Sequence, residues 1–287
     1  AVSMGEKARV DMDYMCELTG KTEEEIFADL KGVIFLNPMH GYGNSTQAKY
    51  LMADEYLSGN VREKLAFARK SAQLYPDDYT VNVEALERVQ PKDLTASEIA
   101  VRLGATWLPT EIVEQFMFEF LGTPRYAQWN IKVHFSAYTG EWNIEGKSYD
   151  RSNVKAYSTY GTGRINAYKI IEETLNLKDV RIFDYVEDAD GKKKAILNKK
   201  ETAIAQAKQE LIKQGFQDWV WSDPERRERL CILYNEKFNS LRPREYDGSH
   251  IVFSGMNPEI ELREHQRNAV AHILYGGNTT LNNSARK

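Results

Sequence analysis

At 287 residues the chain is long enough for one large or two ordinary domains, and its 42% hydrophobic and 11% aromatic content excludes wholesale disorder. No apolar run approaches the roughly 20 residues that span a bilayer, and the first residues carry no signal-peptide pattern. The net charge of −4 is unevenly placed: residues 1–120 hold 12 Lys and Arg against 20 Asp and Glu, residues 121–287 hold 26 against 22. The front repels a phosphate backbone or faces a basic protein, and the rear can approach phosphates. Cys16 and Cys231 stand far apart in sequence, which leads us to expect free thiols in a cytoplasmic protein.

The front reads as helical. Val10 to Leu18 has apolar spacing near 3.6, and Thr19-Gly20 stops it. Thr22-Glu23-Glu24-Glu25 has the form of a capping box ahead of Ile26, Phe27 and Leu30. Val33 to Leu36 is a short buried strand before Asn37-Pro38. Residues 39–49 form a loop whose Gly-x-Gly lacks the remaining glycine of a phosphate fingerprint, so it reads as plain loop. A second helical region begins at Ala53. Ser58 or Asn60 caps a helix through Leu65, Ala68 and Leu74, and Val81 to Val89 is a further helix closed by Gln90-Pro91. Thr95 to Glu98 has the form of another capping box. Thr110 caps an amphipathic helix with Ile112, Val113, Phe116, Phe120 and Leu121 inside, stopped at Gly122.

The period then changes. Ile131, Val133 and Phe135 alternate with Lys132, His134 and Ser136, and Trp142 with Ile144 returns across a Thr139-Gly140 turn. Tyr157 to Arg164 is a second glycine loop before a helix through Ile170, Ile171 and Leu175. Val180 to Val186 reads as a strand, Asp188 to Gly191 as its turn, and Lys192 to Leu197 as its return. Asn198 with Glu201 caps one long helix, and Ser222-Asp223-Pro224 opens another. Residues 241–258 are an extended loop. The expectation is an α+β chain: a mainly helical, acidic part at 1–122, then a mixed part at 123–258 with short antiparallel hairpins and long helices. A last helix and polar tail occupy 259–287, and the clearest joint lies around 122–130.

Little in the sequence points to catalysis. The carboxylate pairs Asp11/Asp13 and Asp54/Glu55 sit in helix-start or surface contexts. His265 and His272 are seven apart, which is not the i, i+4 spacing of a zinc site. No nucleophile elbow occurs, and Cys231 between Leu230 and Ile232 reads as inert. We expect no enzyme activity, no cofactor and no metal. The basic residues are more suggestive. Arg151, Lys155 and Arg164 surround turns rich in tyrosine, among them Tyr157 and Tyr160. Lys192, Lys193 and Lys194 crown a hairpin, and Arg242 and Arg244 flank Pro243. Interleaved cations and rings suit a nucleic-acid backbone, with cations on phosphates and rings under bases. Arg164 also precedes a helix whose free N–H groups favour an anion.

One stretch carries a family likeness. Leu262-Arg263-Glu264-His265-Gln266 opens a helix that ends at Gly276-Gly277, and it resembles the threshold of a helicase or translocase motor, in which the Gln reads an adenine. With Ala53 to Leu65, Val89 to Leu94, Arg102 to Trp107 and Arg242 to His250, it resembles the central region of large methylase–helicase proteins of phages and other mobile elements. That region lies between an adenine methyltransferase and a Snf2-like superfamily-2 motor. The methyltransferase motif is missing, and the sequence stops before a phosphate loop. The resemblance therefore implies an intervening region cut before the motor, with Gln266 a vestigial adenine-reading position. Two functions follow as expectations. One is a non-catalytic nucleic-acid-binding or scaffolding module, with DNA as partner. The other is an anti-defence protein, of anti-CRISPR or antirestriction type, that blocks a host immune nuclease.

Overall fold

The computed structural model describes residues 2–41, 47–187, 193–257 and 259–276. The chain is an α+β fold that divides into two compact units: Leu94–Asn235 form an inserted unit, and Ala1–Asp93 with Glu236–Lys287 form a flanking unit. The joint expected at 122–130 falls inside the inserted unit, because Leu121 before it and Ile131 and Val133 after it are buried in one core.

The flanking unit opens with three short helices, α1 (Val2–Lys7), α2 (Met12–Thr19) and α3 (Glu23–Asp29). Asp11 caps α2 by accepting the Tyr14 N–H at 3.2 Å. Gly20 ends that helix at a φ of 71°, a left-handed conformation that glycine adopts without a Cβ penalty. The capping box at Thr22 forms as expected: its hydroxyl accepts the Glu25 N–H at 3.3 Å, and the Glu25 carboxylate accepts the Thr22 N–H at 2.9 Å. β1 (Ile34–Leu36) pairs antiparallel with β2 (Tyr50–Met52), Phe35 opposite Leu51. Met12, Ile26 and Ile34 tie the helices to this hairpin.

Next come α4 (Ala53–Tyr56), β3 (Gly59–Asn60), α5 (Val61–Leu74) and α6 (Pro76–Arg88). Asn60 is the cap of α5, accepting the Glu63 N–H at 3.1 Å. Pro76 opens α6 earlier than the apolar pattern from Val81 suggests, at a position where its missing N–H is no loss. Phe35, Tyr56, Val61, Leu65, Ala68 and Leu86 form the core beneath these elements. The Lys64 ammonium donates to the carbonyls of Glu55, Tyr56 and Ser58 at 3.1, 2.8 and 2.7 Å, closing the end of α4. Burial pushes that amine below the usual lysine range.

In the inserted unit, Thr95 to Glu98 closes a turn with no helix after it. α7 (Thr110–Leu121) is preceded by Pro109 at its cap, and Thr110 is its first residue. α8 (Arg125–Gln128) leads to β4 (Lys132–Ser136) and β5 (Glu141–Glu145), which pair antiparallel with Phe135 opposite Trp142. A π-helical turn, Lys155–Thr159, occupies the start of the tyrosine-rich glycine loop. α9 (Ala167–Leu175) is buried along most of its length. β6 (Phe183–Glu187) and β7 (Lys193–Leu197) then form a ribbon. The strand expected from Val180 starts only at Phe183, because side chains of the following helix take the earlier N–H groups: Gln209 accepts from Val180 at 3.2 Å and Thr202 from Ile182 at 3.0 Å. α10 (Lys199–Val220) and α11 (Pro224–Phe238) complete the unit around Phe116, Tyr168, Ile212, Phe216 and Leu230.

The returning chain adds β8 (Leu241–Arg242), which pairs antiparallel with β3, and α12 (Glu264–Tyr275). Between them the segment from Arg244 to His250 is held against α12. Tyr246 stacks on His272 with ring centroids 4.3 Å apart, and the Gly248 N–H donates to Asn268 at 2.9 Å. Among the described residues every sheet has two strands, and no helix is long and apolar enough to cross a membrane.

Candidate nucleic-acid interface

Residues 2–41 and 47–52 supply a helix, a helix–turn–helix and an antiparallel strand pair. The turn is Gly20-Lys21-Thr22, so α3 takes the place of the second helix of the pair. In DNA readers of this layout that helix enters the major groove with its N-terminal residues on base edges. In this chain the first turn of α3 is Glu23, Glu24 and Glu25. Glu23 is tied to the hairpin, accepting from the Lys49 ammonium at 2.6 Å and the Tyr50 hydroxyl at 2.7 Å. Lys49 and Tyr50 hold its carboxyl below the usual range, while burial and Glu23 push Tyr50 up to about 12. Glu24 and Glu25 stay exposed. A phosphate backbone approaching this face meets uncompensated negative charge.

The basic and aromatic residues singled out from sequence fall in both compact units. Arg242 and Arg244 belong to the flanking unit, and the others to the inserted unit. Arg244 is engaged: its Nε meets the Asp54 carboxylate at 2.8 Å, and its guanidinium lies 4.8 Å from the Tyr246 ring. Arg242 donates to the Leu57 carbonyl at 3.0 Å and pairs with Glu245 at 3.6 Å. Arg164 pairs with Asp184 at 2.8 Å and donates to the Phe183 carbonyl at 2.9 Å. Its guanidinium, with the Asn198 amide, holds the Asp184 carboxyl below the ordinary range. The helix start after Arg164 is capped by the Asn166 side chain, which accepts the Lys169 N–H at 2.9 Å and occupies the position an anion would take.

Tyr157 and Tyr160 are half-buried and lie against the core, Tyr160 with its ring centroid 4.3 Å from that of Phe120. Both serve packing and offer little free ring face. Arg151 and Lys155 are exposed, with the Lys155 chain running beside Gly122. Lys193 and Lys194 are exposed on β7, and Lys192 lies outside the described residues. Gln266 is exposed near the start of α12, and its side-chain oxygen accepts the Arg263 N–H at 2.9 Å, closing the helix end. That local bond uses the carbonyl with which an amide would accept from an adenine amino group. The Gly-x-Gly loop at 41–43 and the residues after Gly276 extend outside the described residues.

A second set of cations carries no signal in the sequence. Arg102, Lys178 and Arg181 are exposed around Leu177, and among the described residues their side chains form no ion pair. Lys178 and Arg181 share one stretch, Arg102 comes from another, and no local motif marks them. Among the described residues no cluster of three or more His, Cys, Asp and Glu side chains is placed to hold a metal ion.

Comparison with known proteins bears on the front of the chain. Residues 1–47 match the family described as "Probable helicase, winged helix domain". The N-terminal segment is similar to that family over these residues. The matched residues hold α1, α2, α3 and β1, and β2 follows at Tyr50–Met52. Residues 102–240 match a "Domain of unknown function (DUF8437)", which spans most of the inserted unit and the end of α11. No curated protein matches the chain, and no solved structure does.

Proposed function

We propose that the chain is a non-catalytic accessory module of a helicase-type, DNA-processing protein of a mobile element, working in the cytoplasm and binding nucleic acid. The observation that supports this reading is the front of the chain: a sequence at 1–47 similar to a probable-helicase winged-helix family, in a segment whose helix–turn–helix is followed by the β1–β2 pair. Fold kinship alone does not fix function, and the chemistry of the two units divides the labour. The acidic α3 face makes the winged-helix segment poor at reading a duplex, so it serves as scaffold. The inserted unit carries the cations that meet phosphates. Titrating the full chain with labelled single-stranded and duplex DNA at low and moderate salt tests the reading. Affinity that falls steeply with salt is the expected result. No binding to either form at low salt would overturn it.

Exposed Glu24 and Glu25 also favour a second reading, in which the chain presents an acidic surface to the basic groove of a host immune nuclease. Protection of infecting DNA from restriction or CRISPR cleavage, lost in Glu24→Gln/Glu25→Gln, would support it. Unchanged cleavage with and without the chain would count against it.

A further inference from the structure

We propose that the inserted unit binds single-stranded nucleic acid across the surface around Leu177, with Arg102, Lys178 and Arg181 on its phosphates and Tyr185 beneath a base. This rests on the nucleic-acid reading above and names the strand and the surface.

Leu177 is the starting observation. It follows the end of α9 with a φ of 56°, a left-handed conformation that is an outlier for a bulky side chain. Glycine is the usual residue at such a helix exit. Leu177 is nevertheless 60% exposed, so burial within the chain does not repay the strain. Depressions adjoin it on several sides. One of them is a groove of about 450 Å³ lined by Thr174, Leu177 and Gln209, a volume within the range of ligand sites.

The charge around Leu177 is the second observation. Lys213 and Lys169, at the margins, are neutralised by Glu210 at 3.4 Å and Glu173 at 2.9 Å. Arg102, Lys178 and Arg181 have no such partner among the described residues, and Asp179 is the acid between them. Three open cations around an apolar side chain favour a ligand that is anionic and also has an apolar face.

The third observation is the ribbon of β6 and β7. Phe183 lines the depression beside Arg181 and begins β6. Two residues on, Tyr185 shares its face of the ribbon and is 71% exposed. No third strand or helix covers it among the described residues. A duplex offers phosphates outside and keeps its bases stacked within, so it would leave Leu177 and Tyr185 unmatched. A single strand offers both phosphates and open base faces.

The test is fluorescence anisotropy of the full chain with a labelled oligothymidine and with a duplex hairpin, over a series of salt concentrations. The expected result is preference for the single strand. Arg102→Gln/Lys178→Gln/Arg181→Gln should weaken it at least tenfold and reduce the salt slope by about 2, since each phosphate contact in a single strand contributes roughly 0.7. Tyr185→Ala should weaken it by about fivefold or more with the slope unchanged, as loss of one stacked base does. All these side chains are exposed, so melting curves should match the parent. Lys70→Gln/Arg88→Gln/Lys92→Gln, which removes the same charge from the flanking unit, should bind as the parent does. Duplex preference, or equal loss in the two triple variants, would sink this surface and leave the broader reading standing. No binding to either oligonucleotide would remove both.

Discussion

The side-chain amide of Asn235 clasps the backbone of Leu94: its oxygen accepts the Leu94 N–H at 2.8 Å, and its nitrogen donates to the Leu94 carbonyl at 2.9 Å. The same nitrogen donates to the Cys231 carbonyl at 2.9 Å. Asn235 is buried, so the two ends of the inserted unit are joined by a bond pair that water does not readily replace. Asn235→Ala strands the half-buried N–H and carbonyl of Leu94, and should cost about 1–2 kcal/mol in urea unfolding. Asn235→Asp keeps the acceptor and loses the donor, so its amide exchange at Leu94 should rise less than in the alanine variant. A loss below about 0.5 kcal/mol in Asn235→Ala, the level of an ordinary surface change, would show that the clasp is not a structural tie.

Arg244 closes a comparable link in the flanking unit, meeting Asp54 at 2.8 Å with both side chains largely screened from solvent. Glu55 stands 3.8 Å away and adds a second, weaker carboxylate. Arg244→Ala should destabilise by about 1–2 kcal/mol, because it leaves a half-buried carboxylate unpaired. Hydrogen exchange should quicken in residues 244–250 first. A double-mutant cycle with Asp54→Asn separates the pair from the rest. Additive losses would mean that Tyr246, lying under the guanidinium, supplies the stability instead.

These links also explain what the sequence shows and hides. The capping box at Thr22 is legible because all its atoms lie within three residues, and the β6–β7 pairing because its two strands are close in sequence, although the turn expected at Asp188 to Gly191 lies outside the described residues. The β3–β8 pair is not, because Gly59 and Asn60 meet residues that follow the entire inserted unit. The same limit affected the basic residues. Arg164 and Arg244 look free in sequence, yet their acidic partners lie 20 and 190 residues away. Tyr157 and Tyr160 look like a stacking platform, yet the core claims their rings. Arg102, Lys178 and Arg181 carry no local pattern and become a group only when α9 and the segment before α7 are folded together. Thr95 to Glu98 shows the opposite failure: the Glu98 carboxylate accepts the Thr95 N–H, but the buried Ile99, Val101 and Leu103 that follow alternate at a spacing of two, which is not a helix face.

Acid should attack the inserted unit through Glu172. Its carboxylate is buried in the core-facing side of α9 and accepts from Lys147, from Lys169 and from the Ile144 N–H at 2.8 Å. Burial alone would raise its pKa, but the two ammonium groups and the N–H outweigh it and hold the carboxyl below its ordinary value of 4.5. The unfolded chain therefore takes up the proton first as pH falls. The stability from this group is complete above the unfolded value, and is lost as pH drops from there through the lowered folded value. Urea midpoints should fall steeply below about pH 4.5. In Glu172→Gln the midpoint should be lower at neutral pH and the acid slope shallower. An acid slope identical to the parent would assign the loss to other carboxylates.

Gly248 offers the sharpest geometric test of how the returning chain is held. Its φ is unexceptional, so an alanine would be free of backbone strain. The added Cβ would instead fall 2.1 Å from the Arg267 carbonyl oxygen and 2.9 Å from the Asn268 nitrogen, both backbone atoms of α12. Neither can turn aside as a side chain would, so the helix or the segment must move. That movement breaks the Gly248–Asn268 hydrogen bond and parts the Tyr246–His272 stack. Gly248→Ala should therefore cost about 1–3 kcal/mol, the usual range for an overpacked site, and should raise hydrogen exchange throughout α12. Gly255→Ala is the contrast. Gly255 has a φ of 86° and open space where its Cβ would stand, so alanine strains the loop locally and leaves α12 exchange unchanged. Equal protection of α12 in the parent and in Gly248→Ala would mean that the helix is not held by this close approach.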